Sequence, residues 1–116
     1  MKRYRILPLA AIAAFATVVA CEHVDVTKTS KGFFAGTNPN NVEILMMKPD
    51  RSYVELGSVS SDGWQPSDMA RMHNAFRAKA APLGADAVII LNSGIMTDPT
   101  FGTPEMWCIA VAIKYK

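Results

Sequence analysis

The chain has 116 residues, half of them hydrophobic and only two of them cysteine. That length allows one small domain and excludes two. Twelve Lys and Arg stand against ten Asp and Glu, but Lys2, Arg3 and Arg5 cluster at the start, leaving nine against ten in the rest. This balance excludes a polybasic surface for nucleic acid or for anionic lipid.

Behind those three cations, Ile6 to Ala20 carries no charge, and Thr17 is its one hydroxylated residue. A basic segment, a short apolar run and small residues before a boundary describe a secretory signal peptide. A spanning helix needs about 20 apolar residues, and this run is shorter, with Pro8 near its start. The run closes on Val18-Val19-Ala20-Cys21. These four residues resemble the lipobox of bacterial lipoproteins. The resemblance implies removal of residues 1–20, a diacylglycerol on the Cys21 sulfur and acylation of the new N-terminus. Ordinary secretion is the alternative, because Val18 and Ala20 also suit the usual signal peptidase; Cys21 would then be a thiol able to pair with Cys108. Multiple acyl chains hold a protein to a membrane lastingly where one does not. An acylated Cys21 leaves Cys108 without an intramolecular partner. In the lipoprotein family an aspartate after the cysteine marks inner-membrane retention. Glu22 stands there instead, so the expected address is the periplasmic face of the outer membrane. His23 close to Cys21 makes two possible metal ligands, which is too few for a site.

Residues 21–41 read as a lipidated tether. The stretch is polar and turn-rich, with Gly32, Gly36 and Asn38-Pro39-Asn40-Asn41. Twenty flexible residues reach about 25 Å on average. Phe33-Phe34 is the exception, expected to dock on the domain, with the membrane interface as the alternative. Alternation of Val42, Ile44 and Met46 with Glu43, Leu45 and Met47 predicts a strand, which Pro49-Asp50 ends. Residues 53–61 predict a second strand, with Gly57 at a bulge or close approach and Asp62-Gly63 as its stop.

Ser67 is the expected cap of a helix whose apolar stripe is Met69, Met72, Phe76, Ala80 and Leu83. Pro82 closes the helix near Ala81, and Gly84 supplies the turn. Residues 85–92, apolar from Ala87 to Leu91, predict a strand buried on both faces. In the last segment Trp107, Ile109, Val111, Ile113 and Tyr115 form one face and Cys108, Ala110 and Ala112 the other. The large face is expected to meet the helix, with the small face against something close or exposed. Residues 93–105 read as a long hairpin loop carrying exposed Ile95, Met96 and Phe101 as partner-binding anchors.

The order β-β-α-β-β predicts an α+β domain over residues 42–116, one helix on a sheet of roughly four strands. A domain so small buries only about 60% of its unfolded surface, and dimerisation or packing of Phe33-Phe34 is expected to reinforce it. The elements Pro49, Arg51, Tyr53, Leu56-Gly57, Lys79-Ala80-Ala81 and Leu83-Gly84-Ala85-Asp86-Ala87 recur in the order found in a family of small bacterial envelope domains. The chain resembles that group, which includes the Rcs stress-sensor outer-membrane lipoprotein and the YbjQ-like domains. The resemblance implies a similar fold and a role in envelope stress sensing or scaffolding. It departs from the Rcs sensor in lacking cysteines for a disulfide within the domain, and from the YbjQ-like group in lacking a Cys/His cluster.

A different class of function rests on Met69, Met72 and His73, whose spacing puts two thioethers and an imidazole on one side of the helix, a soft set suited to Cu(I). Core packing by the methionines is the simpler account. No base and orienting group accompany Cys108, so catalysis is not expected. The expectation is a lipoprotein that needs no cofactor, binds no nucleic acid, and meets the membrane through Cys21 and an envelope protein through its domain.

Overall fold

The computed structural model describes residues 23–116, so Cys21 and the leader lie outside the described residues. Five strands and one α-helix follow in the order β1 (His23–Lys28), β2 (Glu43–Leu45), β3 (Tyr53–Trp64), α1 (Met69–Ala80), β4 (Ala87–Thr97) and β5 (Pro104–Tyr115). They form one mixed sheet, β1-β3-β5-β4-β2, with α1 on one face. Only β2–β4 is parallel; the other pairs are antiparallel. The α+β class is as expected. The sheet has five strands rather than four.

The extra strand comes from the segment expected to be a tether. In β1, Val24 and Val26 pack against the core, while His23, Asp25 and Thr27 alternate to the other face. Two apolar residues in six are a weak signal, and the neighbouring Thr, Ser and Gly residues mask it. The rest of that segment is pinned as well. Thr29 N–H donates to Leu56 O, Thr37 N–H to Ala81 O at 2.9 Å, and the Thr37 hydroxyl to Ala85 O at 2.6 Å. Phe34 Cβ lies where a Cβ on Gly84 would be, 2.7 Å away, and Gly84 has φ +91°. Only glycine fits there, because both the left-handed backbone and the space demand it. Phe33 does not dock as expected. It is exposed, with the Lys28 ammonium 4.6 Å from its ring centre.

Two bulges shape β3. The register slips between Glu55 and Gly57, putting Leu56 and Gly57 on the helix side together. A Cβ on Gly57 would lie 2.7 Å from Thr27 O, so the close approach of β1 requires glycine. Asp62-Gly63 does not end the strand. It forms a second irregularity, Gly63 taking φ +76°, after which Trp64 pairs with Met106.

A 3-10 turn, Pro66–Asp68, precedes α1, so Ser67 is not its cap; Asp68 occupies that position without a side-chain hydrogen bond. Met72, Phe76 and Ala80 are buried as the stripe predicts, Leu83 is half-buried, and Met69 is exposed at the first turn. Pro82 falls in a closing 3-10 turn, Ala81–Leu83.

The helix meets the small face of β5, reversing the expectation. Cys108, Ala110 and Ala112 join Phe76, Met72, Ala80 and Ala85 in the core. Alternation shows that β5 has two faces but does not say which is covered. Phe76 and Met72 supply the bulk, and short side chains on the sheet leave room for them. The opposite face holds a second cluster of Ala87, Ile89, Val111 and Ile113, flanked by Leu45, Tyr53 and Tyr115.

Candidate functional site

The face away from α1 is covered only in part. To pass from β2 to β3, residues 46–52 must cross the ends of β4 and β5. The Arg51 guanidinium stacks 3.9 Å from the Tyr115 ring centre, and Tyr115 belongs to this face. The crossing therefore runs on the open side, beside the cluster of Ile89, Val111 and Ile113 that Leu45, Tyr53 and Tyr115 flank. Beyond it the sheet is bare. Leu91 is 60% exposed and Ile109 42%. Trp107 is half-buried on the same face, one register step from Ile109.

Trp107 lies across Gly94, its cross-strand partner. A Cβ built on Gly94 would come within 2.8 Å of three indole atoms. The missing side chain on β4 is thus the seat of the indole, an arrangement that also strengthens the glycine-bearing strand. Around this apolar strip the sheet is polar and acidic. By strand alternation Asp25, Ser60, Asp62 and Glu105 share the face. His23 shares it too, its Nε2 2.7 Å from Asp25 Oδ2. No Lys or Arg occupies an open-face position of β1, β3, β4 or β5 among the described residues.

The residues expected to bind a partner do not form one loop patch. β4 runs on to Thr97 and β5 starts at Pro104, so the loop shrinks to 98–103. Ile95 pairs with Met106 and Met96 with Glu105, placing their side chains on opposite faces of the hairpin. Phe101 stands at the tip, 79% exposed. Asn-Ser-Gly reads as a turn in sequence, yet here it continues the strand because Trp107 fills the space over Gly94.

The proposed metal set is not gathered on one accessible surface. Met72 is enclosed in the core while Met69 is exposed. His73 leans on Phe76, ring centres 6.5 Å apart. Its pKa lies below the ordinary value, chiefly because burial disfavours the cation and secondarily because Arg77 is near. Among the described residues no three His, Cys, Asp or Glu converge as a metal cluster.

Two grooves flank the helix. One, beside β2, is lined by Asn40, Asn41, Glu43, Asn74 and Arg77. Arg77 Nε donates to Val42 O at 2.9 Å and Nη1 to Asn74 Oδ1 at 2.7 Å, so this guanidinium ties the start of β2 to α1. The other, beside β1, is floored by Trp64, whose buried indole N–H has no hydrogen-bond partner. Asp86, just after the Gly84 turn, accepts the Tyr115 N–H through Oδ2 at 2.9 Å and fixes the end of β5.

Cys108 is a buried free thiol. Burial pushes its pKa up, so the nucleophilic thiolate is disfavoured. Reaction with iodoacetamide at pH 8 should proceed only through opening of the domain, roughly a thousandfold or more slower than in denaturant. A native-state rate close to the denatured one would show that the helix does not seal this face. Stopped-time alkylation read by mass spectrometry measures both.

Among the described residues no helix is long and apolar enough to cross a membrane. No family model and no curated protein matches the chain. In structure it is similar to a crystallised Francisella virulence factor, FvfA, with a TM-score of 0.52 and 12% identity, over 77% of this chain and 96% of that one. At that identity the likeness shows the α+β fold.

Proposed function

We propose that this chain is a cell-envelope lipoprotein, held through Cys21 at the periplasmic face of the outer membrane, whose α+β domain docks a protein partner. The observation that carries the docking role is the bare strip of Leu91, Trp107 and Ile109, left uncovered in a domain with little apolar surface to spare. Covering each such side chain contributes about 1.5–3 kcal/mol at most. The rim of Asp25, Asp62 and Glu105 supports a partner presenting apolar residues flanked by Lys or Arg. The same rim opposes a face-to-face homodimer, which would set like charges against each other. Stress sensing, suggested by the resemblance to the Rcs and YbjQ-like group, is the sharper form of this reading; scaffolding is the plainer one. The anchor is supported by Val18-Val19-Ala20-Cys21 behind its basic and apolar segments. No cofactor is required. Copper binding by Met69, Met72 and His73 would need Met72 to leave the core, and nothing favours it.

A photo-crosslinker at Ile109 in living cells tests the docking role. The expected result is one identified protein whose captured segment is apolar and basic, with capture lost on Asp62→Lys/Glu105→Lys. No partner at Ile109, a second copy of this chain, or capture indifferent to the charge reversal would each reject the reading.

A further inference from the structure

We infer that the tip of the β4–β5 hairpin, with Phe101 at its apex, is a lipid-contacting surface that seats the domain directly on the bilayer. The inference rests on the lipid anchor proposed above. It follows from how few residues separate Cys21 from β1. β1 starts at His23, so Cys21 is two residues from the sheet, and two residues span at most about 7 Å. A flexible tether of some 20 residues is therefore not what separates domain from lipid.

The end of the sheet nearest Cys21 is the end that carries the hairpin. His23 pairs with Asp62 and Val24 with Ser61, while Ser61 also pairs with Cys108. From that level β5 continues back through Trp107 and Met106 to Pro104, and the turn 98–103 lies beyond. At about 3.3 Å per residue, Pro104 already projects on the order of 10 Å past His23, and Phe101 further. A bilayer that holds the Cys21 sulfur at its interface therefore meets the hairpin tip in the same plane or above it. With the strands upright on the membrane, a domain anchored there rests its tip in lipid.

The chemistry of the tip fits this environment. Phe101 is exposed at the apex, and Ile95 and Met96 are exposed on the two faces just behind it. The carboxylate of Asp98 is turned inward and accepts the Thr100 N–H at 2.8 Å. Its backbone closes the turn, with Asp98 N–H donating to Thr103 O and Gly102 N–H to Asp98 O. Three N–H groups of the turn, those of Asp98, Thr100 and Gly102, are thus satisfied within it, which lowers their cost of entering the interface. No Lys or Arg occurs between Lys79 and Lys114, so the seat depends on apolar contact and not on anionic lipid.

The test uses the lipidated chain purified in detergent and reconstituted in phosphatidylcholine vesicles containing a nitroxide lipid labelled near the headgroup. A fluorophore attached at Phe101→Cys should be quenched several-fold more than one at Ser52→Cys, which lies at the opposite end of the sheet; buried Cys108 stays unlabelled. Equal quenching at the two positions overturns the inference, as does a tip probe shielded from water but not quenched by lipid, the result of docking on protein or on a second copy. Mass spectrometry of the same sample reads Cys21 independently. A lipidated Cys21 with an unquenched tip sinks the inference alone, whereas an unmodified Cys21 sinks the anchor and the inference with it.

Discussion

Phe76→Ala should destabilise the domain by about 3–5 kcal/mol, the cost of removing a buried phenyl ring and leaving its cavity. Phe76 is fully enclosed, and no other side chain of α1 both reaches the sheet and has its bulk. The core around it combines short side chains, Cys108, Ala80, Ala85, Ala110 and Ala112, which have little to move, with Met72, Leu56 and Val88, which can close part of the space, so the loss falls within that range. Small domains hold about 5–15 kcal/mol in all, so a domain near the lower end would be left close to zero and substantially unfolded at 37 °C. Urea unfolding followed by near-ultraviolet circular dichroism measures it. A loss below about 1.5 kcal/mol, the size of a volume-conserving swap, would mean that the helix does not pack as described.

The same packing explains what sequence reasoning could and could not reach. The helix stripe was legible because Met72, Phe76 and Ala80 recur at helical spacing, and the Pro82-Gly84 ending because proline and glycine have few uses there. Which face of β5 lies inside was not legible. Both faces are apolar, and size suggests the wrong one: the large residues line the far side, where Ile89, Val111 and Ile113 form a second cluster with Leu45, Tyr53 and Tyr115. β1 was missed because one edge strand with Val24 and Val26 does not stand out among turn residues. Its effect is large, since it brings the folded domain to within two residues of Cys21. The hairpin was misjudged at Gly94, a turn signal in isolation. Trp107 opposite it was the available clue, a bulky ring placed to fill a cross-strand gap, but the register that sets Gly94 against Trp107 exists only in the folded sheet.

Cys21→Ala should move the protein from the membrane pellet to the soluble periplasmic fraction, the largest change expected of any single substitution. Acyl chains contribute about 0.8 kcal/mol for each buried methylene, and two anchoring signals hold where one is marginal. Without them the hairpin tip is what remains. Burial of Phe101 contributes only about 1.5–3 kcal/mol, less than one acyl chain and far too little to retain a protein that diffuses freely. The two contributions are therefore unequal in kind. On the proposed reading, lipid on Cys21 decides whether the domain is at the membrane, and the hairpin decides how it stands there. Phe101→Ser should accordingly leave the protein in the pellet while freeing the tip, and Cys21→Ala should release it with the tip intact. Fractionation with a mass check on the N-terminus reads both, because a retained leader would keep Cys21→Ala in the pellet at a higher mass. Retention of a correctly processed Cys21→Ala protein would mean that something other than acyl chains holds it.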